Sequence, residues 1–276
     1  MDTLQALILG LLQGLTEFIP VSSSGHLVLV PWLLNWQSPG LAFDTTVHLG
    51  TLAGLVVYFR RDIWEVGVSW LDGWRTRTWS SPSARLGWLI ILGSVPAGVL
   101  GFLFEDWFAS LFGQPGMVAV MLVATGILLA SSERMSQKKN AEVLGITAGM
   151  ALIIGFAQAG AILPGISRSG ATIAAGLALG LTRPAAARFS FLLALPIIFA
   201  AGFVQLAQVV KVGDFGDSGS LLVVGFLAAA ISGYLCVSFL LSYLQRRSLY
   251  VFAAYCWVAG IASLAVWLMS GGRGLG

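Results

Sequence analysis

The sequence predicts an all-α polytopic membrane protein, organised as an inverted-topology repeat in which two re-entrant helix hairpins meet near the midplane. Three observations carry that expectation. Of the 276 residues, 57% are hydrophobic and 10% charged, against about 25% charged in soluble domains, and mean hydropathy is +0.88. Two polar stretches, PVSSSGH (Pro20 to His26) and PGISRSG (Pro164 to Gly170), interrupt apolar sequence, each after a run that carries a glutamine. A constant offset superposes Gly10 on Gly155, Gln13 on Gln158, Ser22 on Ser167, Ser24 on Ser169 and Gly25 on Gly170 without a gap.

The elements follow in order. Apolar runs lie at 3–19, 26–36, 41–59, 86–104, 116–133, 143–163, 171–181, 184–210, 219–245 and 249–270. Several reach the roughly 20 residues a spanning helix needs. The runs at 26–36 and 171–181 are too short, and read as half-helices paired with the runs before them. Run, polar loop and half-helix together make a re-entrant hairpin, because polar backbone at membrane depth must be buried in protein or line a cavity. Residues 60–85 (Arg60, Arg61, Arg75, Arg77, Arg85), residues 134–142 (Arg134, Lys138, Lys139) and the pair Arg246 and Arg247 read as basic cytoplasmic loops. The links at 105–115 (Glu105, Asp106) and 211–218 (Asp214, Asp217) read as outside loops. Threading between these anchors opens the first hairpin outward and the second inward. The chain is then one integral membrane domain, 1–276, with repeat halves 1–133 and 143–276.

The net charge of +3 sits in short clusters, so nucleic acid is excluded as a partner and the bilayer is the expected one. No basic stretch precedes the first apolar run, so no cleavable signal peptide is expected. Cys236 and Cys256 lie in apolar runs and read as buried small hydrophobes. Trp32, Trp36, Trp64, Trp70, Trp74 and Trp107 cluster near predicted segment ends, as membrane interfaces favour.

Chemistry concentrates in the two hairpins. Gly10, Gln13, Gly14 and Glu17 share one helix face. A carboxylate at depth costs several kcal/mol on many estimates, so it is paired, protonated or functional. Pro20 ends the first helix, and Ser22, Ser23, Ser24, Gly25 and His26 follow it. A serine cluster alone would be an N-cap; beside Glu17 and His26 it reads as an anion site at a half-helix N-terminus. Ser167, Arg168, Ser169, Gly170 and Thr172 repeat the device. Arg168 has no acidic neighbour in sequence, so it takes either Glu17 or a phosphate as its anion, and the two N-termini favour phosphate. The repeat fails where Glu17 meets Ile162, Ser23 meets Arg168 and His26 meets Ala171: the scaffold is duplicated and the reactive groups are divided. Asp44 and His48 share a helix face as a supporting or merely satisfied polar pair, Arg183 and Arg188 read as snorkelling cations, and Arg60 and Arg61 as topology charges.

Through QGLTEFIPVSSSGH (Gln13 to His26), VHLGT (Val47 to Thr51) and LPGISRSGAT (Leu163 to Thr172), the chain resembles the bacterial undecaprenyl-pyrophosphate phosphatases of the bacitracin-resistance type. That resemblance implies hydrolysis of undecaprenyl pyrophosphate to undecaprenyl phosphate and inorganic phosphate at the outer face of the bacterial plasma membrane, recycling a lipid carrier for cell-wall synthesis. It also implies a divalent cation, magnesium or calcium. The family's acidic motif falls on Gln13 and Glu17, its serine–histidine loop on Ser23 and His26, and its arginine motif on Arg168. Gln13 stands where some members have Glu, so Glu17 would be the protein carboxylate on the cation, with Gln13 beside it. Catalytic candidates are thus Glu17, Ser23, His26 and Arg168. Ser22, Ser24, Gly25, Ser167, Ser169, Gly170 and Thr172 are the substrate-binding candidates. The attacker is Ser23 with His26 as base, which their spacing favours, or His26, or a metal-bound water. The rival class is a lipid-phosphate transporter or flippase using the same anion site. A second copy of the chain, forming a homodimer, is a further candidate partner.

Overall fold

The computed structural model describes residues 1–111, 113–135, 141–212 and 219–271; the topology charges Lys138, Lys139, Asp214 and Asp217 lie outside them. Helix formation follows the apolar runs and their caps. The elements are α1 (Thr3–Phe18), α2 (Ser23–Leu33), α3 (Gly40–Tyr58), α4 (Arg60–Thr76), α5 (Pro82–Leu103), α6 (Glu105–Leu111), α7 (Pro115–Met135), α8 (Ala148–Gly160), α9 (Arg168–Ala178), α10 (Arg183–Val212), α11 (Gly219–Leu244) and α12 (Tyr250–Met269), with a 3-10 turn at Val143–Gly145. Among the described residues the only β pairing is one isolated bridge, Ala141 to Leu181. Among the described residues six helices, α3, α5, α7, α10, α11 and α12, are long and apolar enough to cross a membrane. This is a polytopic, multi-pass membrane protein.

The expected short helices are present. α1 has 16 residues and α8 has 13, and each precedes an 11-residue partner, α2 or α9, which packs against it. Asp2 opens α1 with a reciprocal capping box to Gln5, and Thr147 caps α8. α1 and α3 run along α11, α8 runs along α5, and α7 pairs with α12. The tightest crossings use matched glycines. A Cβ at Gly10 would lie 2.6 Å from the Gly225 carbonyl oxygen, and one at Gly155 would collide with the Gly93 carbonyl oxygen. Phe18, Phe59, Phe189 and Phe191 are fully buried at the centre, with Phe18 and Phe59 edge-on to Phe191.

Three expectations are corrected. Residues 60–85 are not a loop: they form α4 and the start of α5. Their charges hide a helical period in which Trp70 and Trp74 pack with Trp79 and Trp88, while Trp64, Val68 and Leu71 face outward. The 105–115 link likewise holds a helix, α6. Arg183 and Arg188 do not snorkel freely. Arg183 Nε donates to Glu133 Oε1 at 2.8 Å, Glu133 also accepts the Leu249 N–H at 2.7 Å, and Arg188 pairs with Asp62. Cys236 and Cys256 are free and buried, as expected.

Candidate active site

The site forms where the α1–α2 and α8–α9 turns touch. Pro20 stops α1 one turn after Glu17, and the chain re-enters helix at Ser23. Ser22 makes the reversal with φ of 68°, a left-handed conformation costing a non-glycine residue about 1–3 kcal/mol. Its hydroxyl accepts the Gly25 N–H at 3.2 Å, and it lies 3.3 Å from the Ser24 hydroxyl. In the second turn Gly165 supplies the left-handed residue (φ 94°), and Ser167 is an ordinary cap, accepting the Gly170 N–H at 3.0 Å. The Ser167 and Ser169 hydroxyls are 3.1 Å apart, the counterpart of Ser22 and Ser24. The turns meet directly: Ser169 Oγ donates to the Ile19 carbonyl at 3.3 Å.

Glu17 is the hub. Its Oε2 accepts from Gln13 Nε2 at 2.9 Å and from Ser23 Oγ at 2.5 Å. Its Oε1 accepts from Arg168 Nη2 at 2.6 Å. Gln13 and Glu17 are buried, and the Arg168 side chain is 15% exposed. Arg168 therefore takes Glu17 as an anion, the first of the two options its sequence leaves open. Only one arm of the guanidinium is used. Nη1 is buried without a partner among the described residues, as is Gln13 Oε1. A buried donor and acceptor left unmade are costly, and both are what an incoming phosphate and its counter-ion would satisfy.

The structure brings Ser23 to Glu17, not to His26. His26 Nδ1 donates to the Ser22 carbonyl at 2.7 Å, and Nε2 lies 2.6 Å from the Tyr255 hydroxyl of α12. The i, i+3 spacing put His26 on the right face, but its ring turns back to the carbonyl one turn earlier. Thr172 Oγ1 donates to the Arg168 carbonyl at 2.8 Å and lies 2.6 Å from the Ser190 hydroxyl, so it braces α9 against α10. His48 Nε2 is 3.9 Å from Glu17 Oε2. Its Nδ1 donates to the Asp44 carbonyl, not the carboxylate, at 2.7 Å.

Three participants escaped the sequence reading. Tyr255 sits in an apolar span 229 residues from His26. Thr125 of α7 donates to the Gly165 carbonyl at 3.0 Å and accepts the Ser167 N–H at 3.1 Å, pinning the second turn. Ser190 does the same for α9. Each is a lone hydroxyl in a hydrophobic run, and the only available clue was that such a group needs a partner when buried.

A cation cage made of protein alone is absent: among the described residues no cluster of three or more His, Cys, Asp or Glu side chains is placed to hold a metal. The donors in reach are the Glu17 carboxylate, Gln13 Oε1 and His48. Magnesium is commonly held by one or two carboxylates with substrate phosphates, so this partial set, with its orphaned Gln13 oxygen, fits a cation that arrives with a phosphate.

Residues 6–262 match the family described as Bacitracin resistance protein BacA. The chain is similar to proteins named undecaprenyl-diphosphatase: 45% identical over 270 residues to one from Geobacter sulfurreducens, covering 96% of this chain and 98% of that one; 44% over 267 residues to one from Pelobacter propionicus, covering 96% and 97%; and 42% over 275 residues to one from Thermomicrobium roseum, covering 96% and 98%.

Proposed function

The chain belongs to the Bacitracin resistance protein BacA family, and from that membership and the geometry of its two turns we propose how it works. It hydrolyses undecaprenyl pyrophosphate to undecaprenyl phosphate and inorganic phosphate, within the membrane that holds its substrate. The observation that carries the mechanism is the shared use of Glu17: one oxygen holds the Ser23 hydroxyl, the other holds one arm of Arg168.

Arg168 is the switch. Its free Nη1 meets an oxygen of the terminal phosphate, and the stronger charge of the pyrophosphate draws the guanidinium away from Glu17. Glu17 Oε2 stays hydrogen-bonded to the Ser23 hydroxyl and is placed to take its proton. The Ser23 Oγ then attacks the terminal phosphorus, and its proton passes to Glu17 Oε2. The bond from that phosphorus to the bridging oxygen breaks, and its electron pair leaves with the lipid monophosphate. Water next adds hydroxide to the phosphoserine phosphorus, releasing one proton to solvent. Ser23 departs with the proton held by Glu17, and inorganic phosphate is free. Arg168 and the N–H groups at the starts of α2 and α9 hold the charge that grows in transit. Ser22, Ser24, Gly25, Ser167, Ser169, Gly170 and Thr172 shape those two N-termini. Glu17 and Gln13 would hold a magnesium or calcium ion, which when bound supplies neutralisation of the pyrophosphate charge.

The wider architecture belongs to the same proposal. Halves 1–133 and 143–276 form an inverted repeat, and α1–α2 and α8–α9 are its re-entrant hairpins. The matched crossings of α1 on α11 and α8 on α5, with Gly10 and Gly155 at equivalent places, support this. Arg60, Arg61 and Arg75, exposed along α4, and Arg77 just after it, support a cytoplasmic position for that helix. The first hairpin then opens to the outer face of the bacterial plasma membrane. A homodimer with a second copy of the chain belongs to the same proposal. Lipid-phosphate transport is the less favoured reading: the relatives are named for hydrolysis, and transport has no use for a hydroxyl hydrogen-bonded to a carboxylate.

The test is acid quenching during turnover of substrate labelled in the terminal phosphate. The label should appear as acid-stable phosphoserine at Ser23 and be lost in Ser23→Ala together with turnover. Acid-labile label on His26 would move the nucleophile to the imidazole, and undiminished turnover of Ser23→Ala would remove the serine from the reaction.

A further inference from the structure

Resting on the reading that the α1–α2 turn carries the nucleophile, we propose that Tyr255 is a positioning residue for hydrolysis, acting through His26. The geometry leaves the imidazole little freedom. The Ser22 carbonyl can only accept, so the 2.7 Å contact from Nδ1 places a proton there. In the neutral ring Nε2 is then a lone pair, and the Tyr255 phenol donates to it at 2.6 Å. The two rings lie within 11° of parallel, with centroids 5.6 Å apart. Both ring nitrogens are engaged and the ring cannot turn.

What the ring holds is the strained residue beside the nucleophile. The Ser22 carbonyl accepts twice from His26, from the backbone N–H at 3.2 Å and from Nδ1 at 2.7 Å. Those two bonds keep Ser22 at its φ of 68°, and Ser23 follows immediately. A chain of contacts therefore runs from α12 through Tyr255 and His26 to the carbonyl that precedes Ser23. Its outer link is only part-buried, with Tyr255 46% exposed. His26 and Tyr255 stand together in the wall of a groove of about 220 Å³ whose other faces include Leu29, Leu33, Leu122 and Val266. A hydrogen bond beside apolar surface is electrostatically stronger than one in water. Tyr255 also tolerates either charge on His26: its hydroxyl donates to the neutral ring and accepts from the charged one. The last span of the chain thereby fixes the geometry of the first turn.

Tyr255→Phe removes the hydroxyl and keeps the ring. With only two histidines in the chain, ¹⁵N-histidine labelling resolves two rings, and His26→Asn assigns them. In the full-length wild type His26 should show a protonated Nδ1 and an Nε2 that accepts a strong hydrogen bond. In Tyr255→Phe the Nε2 resonance should move toward that of an unbonded acceptor nitrogen. With undecaprenyl pyrophosphate, kcat should fall about tenfold or more while KM changes less than about twofold, the signature of lost positioning rather than lost binding. An Nε2 resonance identical in the two proteins, or an unchanged kcat, overturns the proposal. The ring-nitrogen spectrum reads the hydrogen bond without turnover, and Ser23→Ala reads the nucleophile without Tyr255, so failure of this inference is distinguishable from failure of the mechanism it rests on.

Discussion

Arg168→Ala does two separable things. The ion pair to Glu17 is 2.6 Å long with side-chain exposures of 15% and 7%. Removing one partner of so buried a pair leaves the other uncompensated and costs about 3–5 kcal/mol. Glu17 keeps its bonds from Gln13 and Ser23, so the lower end of that range is expected. The same substitution removes the arm that meets the phosphate, and an arginine stabilising a transferring phosphoryl group is worth about 10³–10⁵ in rate. The single variant should therefore unfold at a lower temperature and release phosphate at least about a thousandfold more slowly. The double variant Arg168→Ala with Glu17→Gln separates the effects. It has no stranded charge, so it should recover most of the stability and none of the turnover. Arg168→Lys keeps a charge but loses the planar fork that matches carboxylate and phosphate oxygens, and should fall between. The assay is inorganic phosphate release from undecaprenyl pyrophosphate in detergent, with a thermal unfolding curve for each protein. Turnover of Arg168→Ala within tenfold of wild type would refute the clamp. A double variant no more stable than the single one would refute the claim that the pair neutralises a buried carboxylate.

Three further outcomes are expected. A chelator should stop phosphate release, and Gln13→Glu should lower the magnesium needed for half-maximal rate while keeping turnover, because it puts a second carboxylate where Gln13 Oε1 now lacks a partner; a titration in magnesium checks this, and an unaltered requirement would take Gln13 out of the cation site. Gln158→Leu should raise stability by about 1–3 kcal/mol without loss of activity, since it removes a buried amide with neither Nε2 nor Oε1 bonded among the described residues; a lower melting temperature would show that Gln158 has a partner in the folded protein.

The spans were legible because hydropathy and length alone decide them: runs 41–59 and 116–133 became α3 and α7 within two residues at each end. The two turns were legible because serine, glycine and arginine have few reasons to sit between apolar runs. α4 was not. Its arginines and aspartates lower the average hydropathy, while its tryptophans pack at a helical period that a search for spans passes over. The pairing inside the site was illegible for a different reason. Spacing places Ser23 and His26 on one face, but the direction in which an imidazole points depends on which carbonyl lies free, and the left-handed Ser22 presents its own. Tyr255 and Thr125 are long-range partners, and nothing local distinguishes either from other lone hydroxyls in apolar helices.

The difference between the halves follows from the charge of what they enclose. Two touching turns that each open a helix N-terminus suit a pyrophosphate, whichever half is considered. A second nucleophile in place of Arg168 would leave no cation to draw the phosphate in. One half must be reactive and the other attractive. Gln158 records that division. Its counterpart Gln13 is bound to Glu17 at 2.9 Å, whereas Gln158 is 1% exposed with both amide atoms unpaired among the described residues. On the proposed inverted repeat, a glutamine kept where Glu17 is matched by isoleucine fits a scaffold that is duplicated while its reactive groups are divided, so that a single carboxylate answers to a single guanidinium.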